Sequence, residues 1–403
     1  MIVQGVVPSR QELELEPLLD RLGQVRFKPF DPLLIDFVDA LSKALMTAPR
    51  EYPEIIALGY WSRRASILVY QRELASLASE RVMLMPRGLA FHVPPANVDT
   101  IFMYSWLLSL LVGNANLIRL STRESPQVEI VCAKLAAVLS EARFAPIAEA
   151  VAIVRYGHDD SITSTLSSRC DLRVVWGGDT TVAALRAFPL HPTARELSFG
   201  DKFSFSVLGA QAYLDADAAQ QRQLAERFFN DAMWFDQAGC SSPRLAVFVG
   251  ERGTQASLRF FATFEQVIEA KHHKVDDGHA MAKLVFSFQA ALDGRIREQQ
   301  RLSSELSTLT VTTLEGFSRD HPGAGLFFVA HIAQLRELVP FVTKRDQTLG
   351  HFGIAREELA AFVNALQGRG VDRLVPLGQA LTFNRYWDGY DLLQEFTRKV
   401  YLE

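Results

Sequence analysis

The spacing of apolar residues changes near residue 80. Before that point, apolar residues recur at helical intervals in DPLLIDFVDALSKALM and YWSRRASILVYQRELASLA, which predicts a mostly helical segment over residues 1–80. After it, short apolar runs such as LAFHV, ANLIRL and EAVAIVRY alternate with longer amphipathic stretches up to about residue 210. Alternating strands and helices are typical of a parallel, doubly wound α/β sheet.

A second alternation begins after SFSVLG. A helix is expected in AAQQRQLAERFFNDAMWF, followed by a strand in RLAVFVG, two further helices, and strands in STLTVTTLEG and LFFVAHIA. The C-terminal segment predicts a strand, a turn and a closing helix. We therefore expect three regions: residues 1–206, residues 207–370 as a second α/β unit, and a C-terminal segment over 371–403.

Composition narrows the function classes. The chain has 403 residues, of which 48% are hydrophobic and 22% charged, with a formal net charge of -4. This near balance of charge gives no basic footprint for nucleic acid. The most apolar segment, IFMYSWLLSLLVGNANLI, is interrupted at Gly113 and Asn114, short of the roughly 20 apolar residues of a spanning helix. We expect no membrane span and a cytoplasmic protein.

Three cysteines are too few for a disulfide framework, and their spacing predicts no structural metal site. Cys132 lies in an amphipathic helix and Cys170 at a helix-to-strand junction, both typical of core positions. Cys240 lies in the turn AGCSSP between a helix and a strand. Small neighbours and nearby backbone N–H groups suit an attacking thiolate, but a buried cysteine serving as a small apolar residue fits this turn equally well.

Three further loops follow predicted strands. In HVPPANV, Pro95 and Asn97 precede a helix, so Asn97 either caps that helix or points an amide N–H at a developing oxyanion. A second loop, at the end of the next strand, contains Arg119, Ser121 and Arg123. These residues either bind a ribose or a ribose phosphate or belong to a solvated loop. The run Trp176-Gly177-Gly178-Asp179-Thr180 turns a strand into a helix and offers N–H groups to a phosphate, although it is not a G-x-G-x-x-G motif.

Taken in order, these loops resemble the motifs of the aldehyde dehydrogenase superfamily. The Pro-x-Asn motif is similar to Pro95-Ala96-Asn97, and the strand-Gly-Ser turn to Trp176-Gly177-Gly178. The stretch Gly239-Cys240-Ser-Ser-Pro243, with Arg373-Leu-Val-Pro-Leu-Gly378, most resembles the acyl-CoA reductase branch, typified by the fatty-acid reductase of bacterial bioluminescence. The resemblance runs from about residue 85 to the C-terminus.

The resemblance implies a Rossmann-type cofactor domain within 1–206, a catalytic domain over 207–370 and a tail that returns to the cofactor domain. It implies that Cys240 forms the acyl-enzyme and that Asn97 stabilises the oxyanion. The expected activity is reduction of an acyl thioester, on coenzyme A or an acyl carrier protein, to an aldehyde. The cofactor contacts implied by the resemblance are Pro95, Arg119, Ser121, Arg123, Trp176, Gly177, Gly178 and Thr180. The expected protein partners are an acyl-transfer enzyme and a second copy of the chain.

Two departures from the superfamily pattern affect this expectation. Glu196 is two residues too far from Lys202 to match the usual general-base glutamate without a gap, which is tolerable only if no acyl-enzyme is hydrolysed. The acidic residue that often selects NAD in this superfamily is either replaced by Thr122 here or absent. Arg123 stands beside that position and could pair with a 2′-phosphate, so we expect NADPH, with NADH as the alternative. The competing functions are an NAD(P)-dependent aldehyde dehydrogenase, which oxidises aldehydes, and a non-catalytic subunit of the same fold that binds an acyl carrier.

Overall fold

The computed structural model describes residues 1–25, 27–95, 101–123 and 125–403. It contains two seven-stranded, mostly parallel sheets, each covered by helices on both faces. Contacts divide the chain into unit 1, Met1–Gly200 with Phe383–Glu403, and unit 2, Asp201–Thr382. The α/β fold class predicted from the sequence is confirmed. No helix among the described residues is both long and apolar enough to cross a membrane.

Unit 1 is built on a seven-stranded sheet of order β2-β1-β6-β5-β4-β7-β8. Its strands are β1 (Ile2–Val7), β2 (Glu12–Glu14), β4 (Leu89–Val93), β5 (Ala115–Leu120), β6 (Val151–Arg155), β7 (Leu172–Trp176) and β8 (Arg195–Phe199). Strands β4 to β8 are parallel, while β1 pairs with β6 and β2 pairs with β1 in antiparallel fashion. The parallel strands therefore have the dinucleotide-binding order 3-2-1-4-5, with a topological switch between β4 and β7.

The helices of unit 1 cover both faces of this sheet. They are α1 (Leu15–Gln24), α2 (Pro32–Leu45), α3 (Pro53–Trp61), α4 (Arg64–Ala75), α5 (Ile101–Leu111), α6 (Pro126–Leu139), α7 (Ala145–Ala148), α8 (Asp160–Arg169) and α9 (Asp179–Arg186). Helices α2, α5 and α6 pack into one core, and α1, α8 and α9 into the other. Every residue of α5 is buried, which explains a helix that is apolar on all sides.

The C-terminal residues complete unit 1. A small hairpin of β16 (Tyr386–Trp387) and β17 (Tyr390–Asp391) leads into the short α15 (Leu392–Glu395) and then β18 (Thr397–Tyr401). Strand β18 pairs antiparallel with β3 (Val82–Pro86). The predicted closing helix is therefore only one turn long, and the chain ends in a strand.

Unit 2 has a seven-stranded sheet of order β11-β12-β13-β10-β9-β14-β15, parallel except for the edge strand β11. Its strands are β9 (Phe203–Gly209), β10 (Pro243–Val249), β11 (Ile296–Arg301), β12 (Ser307–Val311), β13 (Leu326–Ile332), β14 (Asp346–Phe352) and β15 (Arg373–Pro376). The helices are α10 (Ala210–Asp215), α11 (Ala218–Ala232), α12 (Gly253–Ala270), α13 (Asp277–Leu292) and α14 (Arg356–Leu366). Helices α10 to α12 cover one face, and α14 with neighbouring loops covers the other.

The prediction of a mostly helical segment over residues 1–80 is wrong at its start. Residues Ile2–Val7 form β1, which extends the sheet of unit 1 beyond β6, and Glu12–Glu14 form β2. The partner of β1 lies about 150 residues away along the chain. Local spacing of apolar residues cannot report such a pairing, because strand formation there depends on contacts with β6.

Candidate active site

The cysteine turn joins α11 to β10. Helix α11 ends at Ala232, and the backbone N–H of Gln237 returns to the carbonyl of Ala232 at 2.9 Å. Gln237 has a φ of +61°, and the N–H of Ser242 donates to the carbonyl of Gly239 at 3.0 Å, which closes the turn around Cys240. Cys240 therefore lies at the amino end of a central strand and is partly exposed.

The buried side chain of Gln237 ties this turn to β13. Its Nε2 donates to the carbonyls of Pro243 at 3.0 Å and Leu326 at 2.9 Å, while its Oε1 accepts from the N–H of Gly325 at 2.8 Å. Gln237 is fully buried, so these three bonds satisfy its amide where water is absent. They fix the backbone that leads into the cysteine.

A second group of buried polar residues holds the turn from the other side. Ser204 of β9 donates from Oγ to the carbonyl of Cys240 at 2.7 Å, and Ser241 donates to Oε1 of Gln347 at 2.8 Å. Gln347 lies near the start of β14 and is fully buried. Strands β9, β10 and β14 are parallel, so their amino ends lie together and provide these partners.

Arg244, one residue into β10, is the cation of this site. Its guanidinium donates to the carbonyl of Gln237 at 3.0 and 3.3 Å and to the carbonyl of Lys202 at 3.2 Å. Among the described residues, no carboxylate lies within ion-pair distance of it. Burial lowers the pKa of Arg244, the negative charges of Cys240 and Asp201 oppose that shift, and the positive charge of Arg345 adds to it. Because electrostatic coupling is mutual, the guanidinium favours the thiolate form of Cys240.

The two other cysteines have different surroundings. Cys132 on α6 is 2% exposed, and Cys170, just after α8, is 1% exposed. Burial raises the pKa of each thiol to about 12. Both are protonated core residues near neutral pH.

The cofactor residues predicted from the sequence follow the carboxyl ends of neighbouring strands in unit 1. Pro95 follows β4, Arg119 and Ser121 lie at the end of β5, and Trp176 ends β7. Strand β4 lies between β5 and β7. The three loops thus share one edge of the sheet, the edge where doubly wound folds bind ligands. Asn97 lies outside the described residues.

Arg119 lies over the ring of Tyr156, with its guanidinium carbon 4.7 Å from the ring centroid, and donates to the carbonyl of Gly157 at 3.3 Å. Its buried Nε–H has no hydrogen-bond partner among the described residues. Ser121 accepts from the backbone N–H of Arg123 at 3.1 Å, and Arg123 is exposed. The unused buried N–H of Arg119 and, four residues later, the exposed cation of Arg123 suit an oxygen-rich anionic ligand.

The turn after β7 combines small residues with an acidic side chain. Gly178 caps α9, and Gly177 lies so close to Thr181 that a Cβ would be 3.1 Å from its side chain. Trp176 is buried and stacks on Phe199 with 3.7 Å between ring centroids, while Thr180 is exposed. Asp179 occupies the first turn of α9. Its negative charge disfavours a phosphate at this helix N-terminus.

Glu196 on β8 is held by two arginines. Its Oε2 accepts from Nε and Nη2 of the buried Arg173 at 2.9 and 2.6 Å, and its Oε1 accepts from Arg186 at 2.8 Å. Both oxygens are therefore engaged. Lys202 forms an ion pair with Asp372 at 3.2 Å.

Sequence reasoning missed the residues that hold the cysteine turn, namely Ser204, Gln237, Arg244 and Gln347. Gln237 and Arg244 flank the turn in the sequence, and their polarity beside apolar segments was an available signal. Ser204 and Gln347 lie far from the turn along the chain, and a single sequence carries no signal that links them to it.

Comparison with known proteins agrees with this architecture. The family model LuxC, acyl-CoA reductase, matches residues 78–399. No curated protein sequence matches the chain significantly. A solved lactaldehyde dehydrogenase is 13% identical, with a TM-score of 0.64 over 96% of this chain and 91% of its own. Aldehyde dehydrogenase 21 from Physcomitrella patens is 11% identical, with a TM-score of 0.63 over 96% and 85%.

A mutant of proline utilization A (PutA) from Bradyrhizobium japonicum is 12% identical, with a TM-score of 0.68 over 96% of this chain. The present chain spans only 44% of that protein's length. These identities are low, so the solved structures establish the fold, which is that of aldehyde dehydrogenases. The family match extends over most of the sequence and indicates an oxidoreductase of acyl or aldehyde substrates that uses a nicotinamide cofactor. The chain belongs to the LuxC acyl-CoA reductase family.

Proposed function

We propose that this protein reduces an acyl thioester to an aldehyde through an acyl group carried on Cys240, with NADPH as the preferred reductant. The observation that carries the proposal is the setting of Cys240. It is the only partly exposed cysteine of the three, it lies in a turn fixed from three strands, and the guanidinium of Arg244 is electrostatically coupled to it as well as to Asp201.

The first step is acyl transfer to the protein. The Cys240 thiolate attacks the thioester carbonyl, a new carbon–sulfur bond forms, and the bond to the carrier thiol breaks as that thiolate leaves. Arg244 supports this step because its positive charge favours the thiolate. The buried amides of Gln237 and Gln347 support it by limiting the movement of the turn, since the geometry of attack must be held closely.

Charge develops on the carbonyl oxygen during attack. We propose the backbone N–H of Cys240 and the side-chain amide of Asn97 as the donors that stabilise it. A donor of this kind contributes about 2.7–4 kcal/mol to the transition state in measured cases. The role of Asn97 rests on its place in the Pro-x-Asn motif.

Unit 1 fits a dinucleotide. The strand order has its switch point between β4 and β7, and Arg119 has an unused buried N–H at the same edge. The other proposed contacts are Pro95, Ser121, Arg123, Trp176, Gly177, Gly178 and Thr180. The positive charges of Arg119 and Arg123 favour NADPH, which carries a 2′-phosphate, over NADH. When bound, the nicotinamide supplies the hydride that converts the acyl group to an aldehyde.

The state of Glu196 favours reduction over aldehyde oxidation. An oxidising enzyme of this fold must activate water to hydrolyse its acyl-enzyme, and a carboxylate engaged by Arg173 and Arg186 is a poor base for that purpose. A thioester reductase releases its acyl group as aldehyde and needs no such water. The engaged carboxylate is therefore consistent with a thioester reductase and would impede an aldehyde dehydrogenase.

The acyl donor is proposed to be coenzyme A or an acyl carrier protein, with an acyl-transfer enzyme and a second copy of this chain as the proposed protein partners. Static light scattering at several protein concentrations measures self-association independently of activity.

The test is a panel of acyl-CoA thioesters incubated with the protein and either NADPH or NADH. Loss of the reduced-nicotinamide absorbance, together with trapping of the aldehyde, is the expected result. Cys240→Ala should abolish this turnover while leaving dinucleotide affinity unchanged, and Cys170→Ala is the matched control. Near-native turnover by Cys240→Ala would reject the proposed nucleophile.

A further inference from the structure

A buried carboxylate on α11 is not used by the chemistry described above. Asp231 lies in the last turn of α11, nine residues before Cys240, and is 1% exposed. Its Oδ2 accepts from the backbone N–H of Gly378 at 2.6 Å, and its Oδ1 accepts from that of Ala380 at 2.8 Å. The backbone N–H of Leu381 also donates to it. The backbone N–H groups of Gly378, Ala380 and Leu381 thus converge on one carboxylate.

The segment that supplies these donors, residues 377–382, follows β15 and is held at more than one point. Gly378 has a φ of +94°, and a Cβ there would lie 2.7 Å from the Cβ of Arg227 on α11. Only glycine allows this close approach of the segment to the helix. At the end of the segment, Arg373 donates to the carbonyl of Thr382 at 3.2 Å.

Segment 377–382 reaches the cysteine turn through Leu381. The Cδ2 atom of Leu381 lies 3.5 Å from the point where a Cβ of Gly239 would stand. Gly239 is buried and immediately precedes Cys240, whereas Leu381 is half-buried. The hydrogen bonds of Asp231 therefore fix a segment whose Leu381 side chain lies beside Gly239, the residue before the cysteine.

We propose that Asp231 is a positioning residue for Cys240: its carboxylate fixes segment 377–382, and Leu381 of that segment holds the cysteine turn in one conformation. This inference rests on the proposed function only in taking Cys240 as the nucleophile. It adds a residue that touches neither substrate nor cofactor and acts through two packed contacts.

The energetics support a role beyond stability. Burial raises the pKa of Asp231 to about 7, while the N–H groups of Gly378 and Ala380 act in the opposite direction. Burying a carboxylate is costly, and well-packed apolar replacements of buried charged groups are often neutral or stabilising. A buried aspartate bound to a segment that contacts the cysteine turn is better explained by the conformation it specifies.

The test measures acyl transfer to Cys240 from p-nitrophenyl acetate, which needs neither a thioester nor a dinucleotide. The thiolate attacks the ester carbonyl, and the coloured p-nitrophenolate leaves as the acyl–sulfur bond forms. Asp231→Asn keeps the side-chain shape but presents an amide NH₂ to a backbone donor. Leu381→Ala removes the side chain that lies beside Gly239. Each is expected to lower the acylation rate constant by about ten- to a hundred-fold.

The double variant separates positioning from general damage. If Asp231 acts through Leu381, the double variant acylates no more slowly than the worse single variant, because both changes interrupt one chain of contacts. Asp215→Asn, an exposed aspartate on α10 that accepts from Gln211, is the matched control and should acylate at the wild-type rate. Losses that multiply, or single variants within about twofold of wild type, would overturn the proposal.

A folding defect in Asp231→Asn would not block the test. Gly378→Ala disturbs segment 377–382 at its contact with Arg227 without altering the carboxylate, and it should slow acylation as Leu381→Ala does. Leu381→Met should restore the rate by refilling the space over Gly239. Cys240→Ala distinguishes the two proposals: acylation that persists there rejects the nucleophile, whereas acylation lost there but unaffected by Asp231 and Leu381 rejects only the positioning role.

Discussion

Alkylation of the native protein by iodoacetamide at pH 8 should modify Cys240 alone. Burial raises the pKa of Cys132 and Cys170 to about 12. At pH 8 about one in 10⁴ of each such thiol is ionised, against about a quarter of an unperturbed thiol. Because the thiolate is the reactive form, ionisation alone slows the two buried cysteines about 10³-fold relative to an ordinary thiol. Their exposures of 2% and 1% slow them further.

The assay is a time course quenched with excess thiol, digested and mapped by mass spectrometry. One modified cysteine in the native protein and three in urea is the expected pattern, and an acyl-CoA thioester should protect Cys240. Modification of Cys132 or Cys170 within about tenfold of the rate at Cys240 would refute the reasoning. An unmodified Cys240 would refute it as well, because the structure places that side chain partly in solvent.

Three further predictions concern single residues. Arg244→Gln should slow alkylation of Cys240 at neutral pH by about tenfold, with the rate recovering at higher pH, because the cation favours the thiolate. Asn97→Ala should lower kcat by about 10²–10³ if its amide stabilises the oxyanion. His92 is buried, which lowers its pKa to about 4. Between about pH 6.5 and 4 the unfolded chain therefore binds a proton at His92 that the folded chain does not, which lowers the free energy of unfolding of the wild type. His92→Gln should lose about 3 kcal/mol less stability than wild type between pH 7 and pH 4.

Each of these has its own control. Arg297→Gln, an exposed arginine on β11, should leave alkylation unchanged, and an equal slowing in both variants would remove the special role of Arg244. An unchanged kcat in Asn97→Ala would show that this side chain does not stabilise the oxyanion and would favour the alternative role of a helix cap. Urea unfolding at pH 7 and pH 4 measures the histidine effect, with the exposed His158→Gln as control. If wild type and His92→Gln lose stability in parallel, the pH dependence has another origin.

Much of the fold follows from local apolar patterns. Strand β10 contains the apolar run LAVFV and strand β6 the run VAIV, while α5 has no charged residue, so each is apparent before any tertiary contact is known. Strand β14 is different, because its first residues, Asp346, Gln347 and Thr348, are polar yet buried. Only the partners of these side chains, including Arg319 on Asp346 and Ser241 on Gln347, make that burial possible.

The candidate site divides in the same way. Cys240 is conspicuous because its glycine and serine neighbours form a recognisable turn, and the loops after β4, β5 and β7 follow visible strands. The hydrogen bond from Ser241 to Gln347 joins residues 106 positions apart. Likewise, Asp231 reads as an ordinary polar residue of an amphipathic helix until its partners at Gly378 and Ala380 are known.

The glutamine at position 237 makes the cysteine pentapeptide inseparable from its scaffold. Its amide links the loop to Pro243, Gly325 and Leu326, and further bonds reach Ser204 and Gln347. Grafting Gly-Cys-Ser-Ser-Pro alone into another α/β protein would transfer the cysteine without the hydrogen bonds that orient it. An engineer who wished to move this thiol would have to carry the starts of four strands with it.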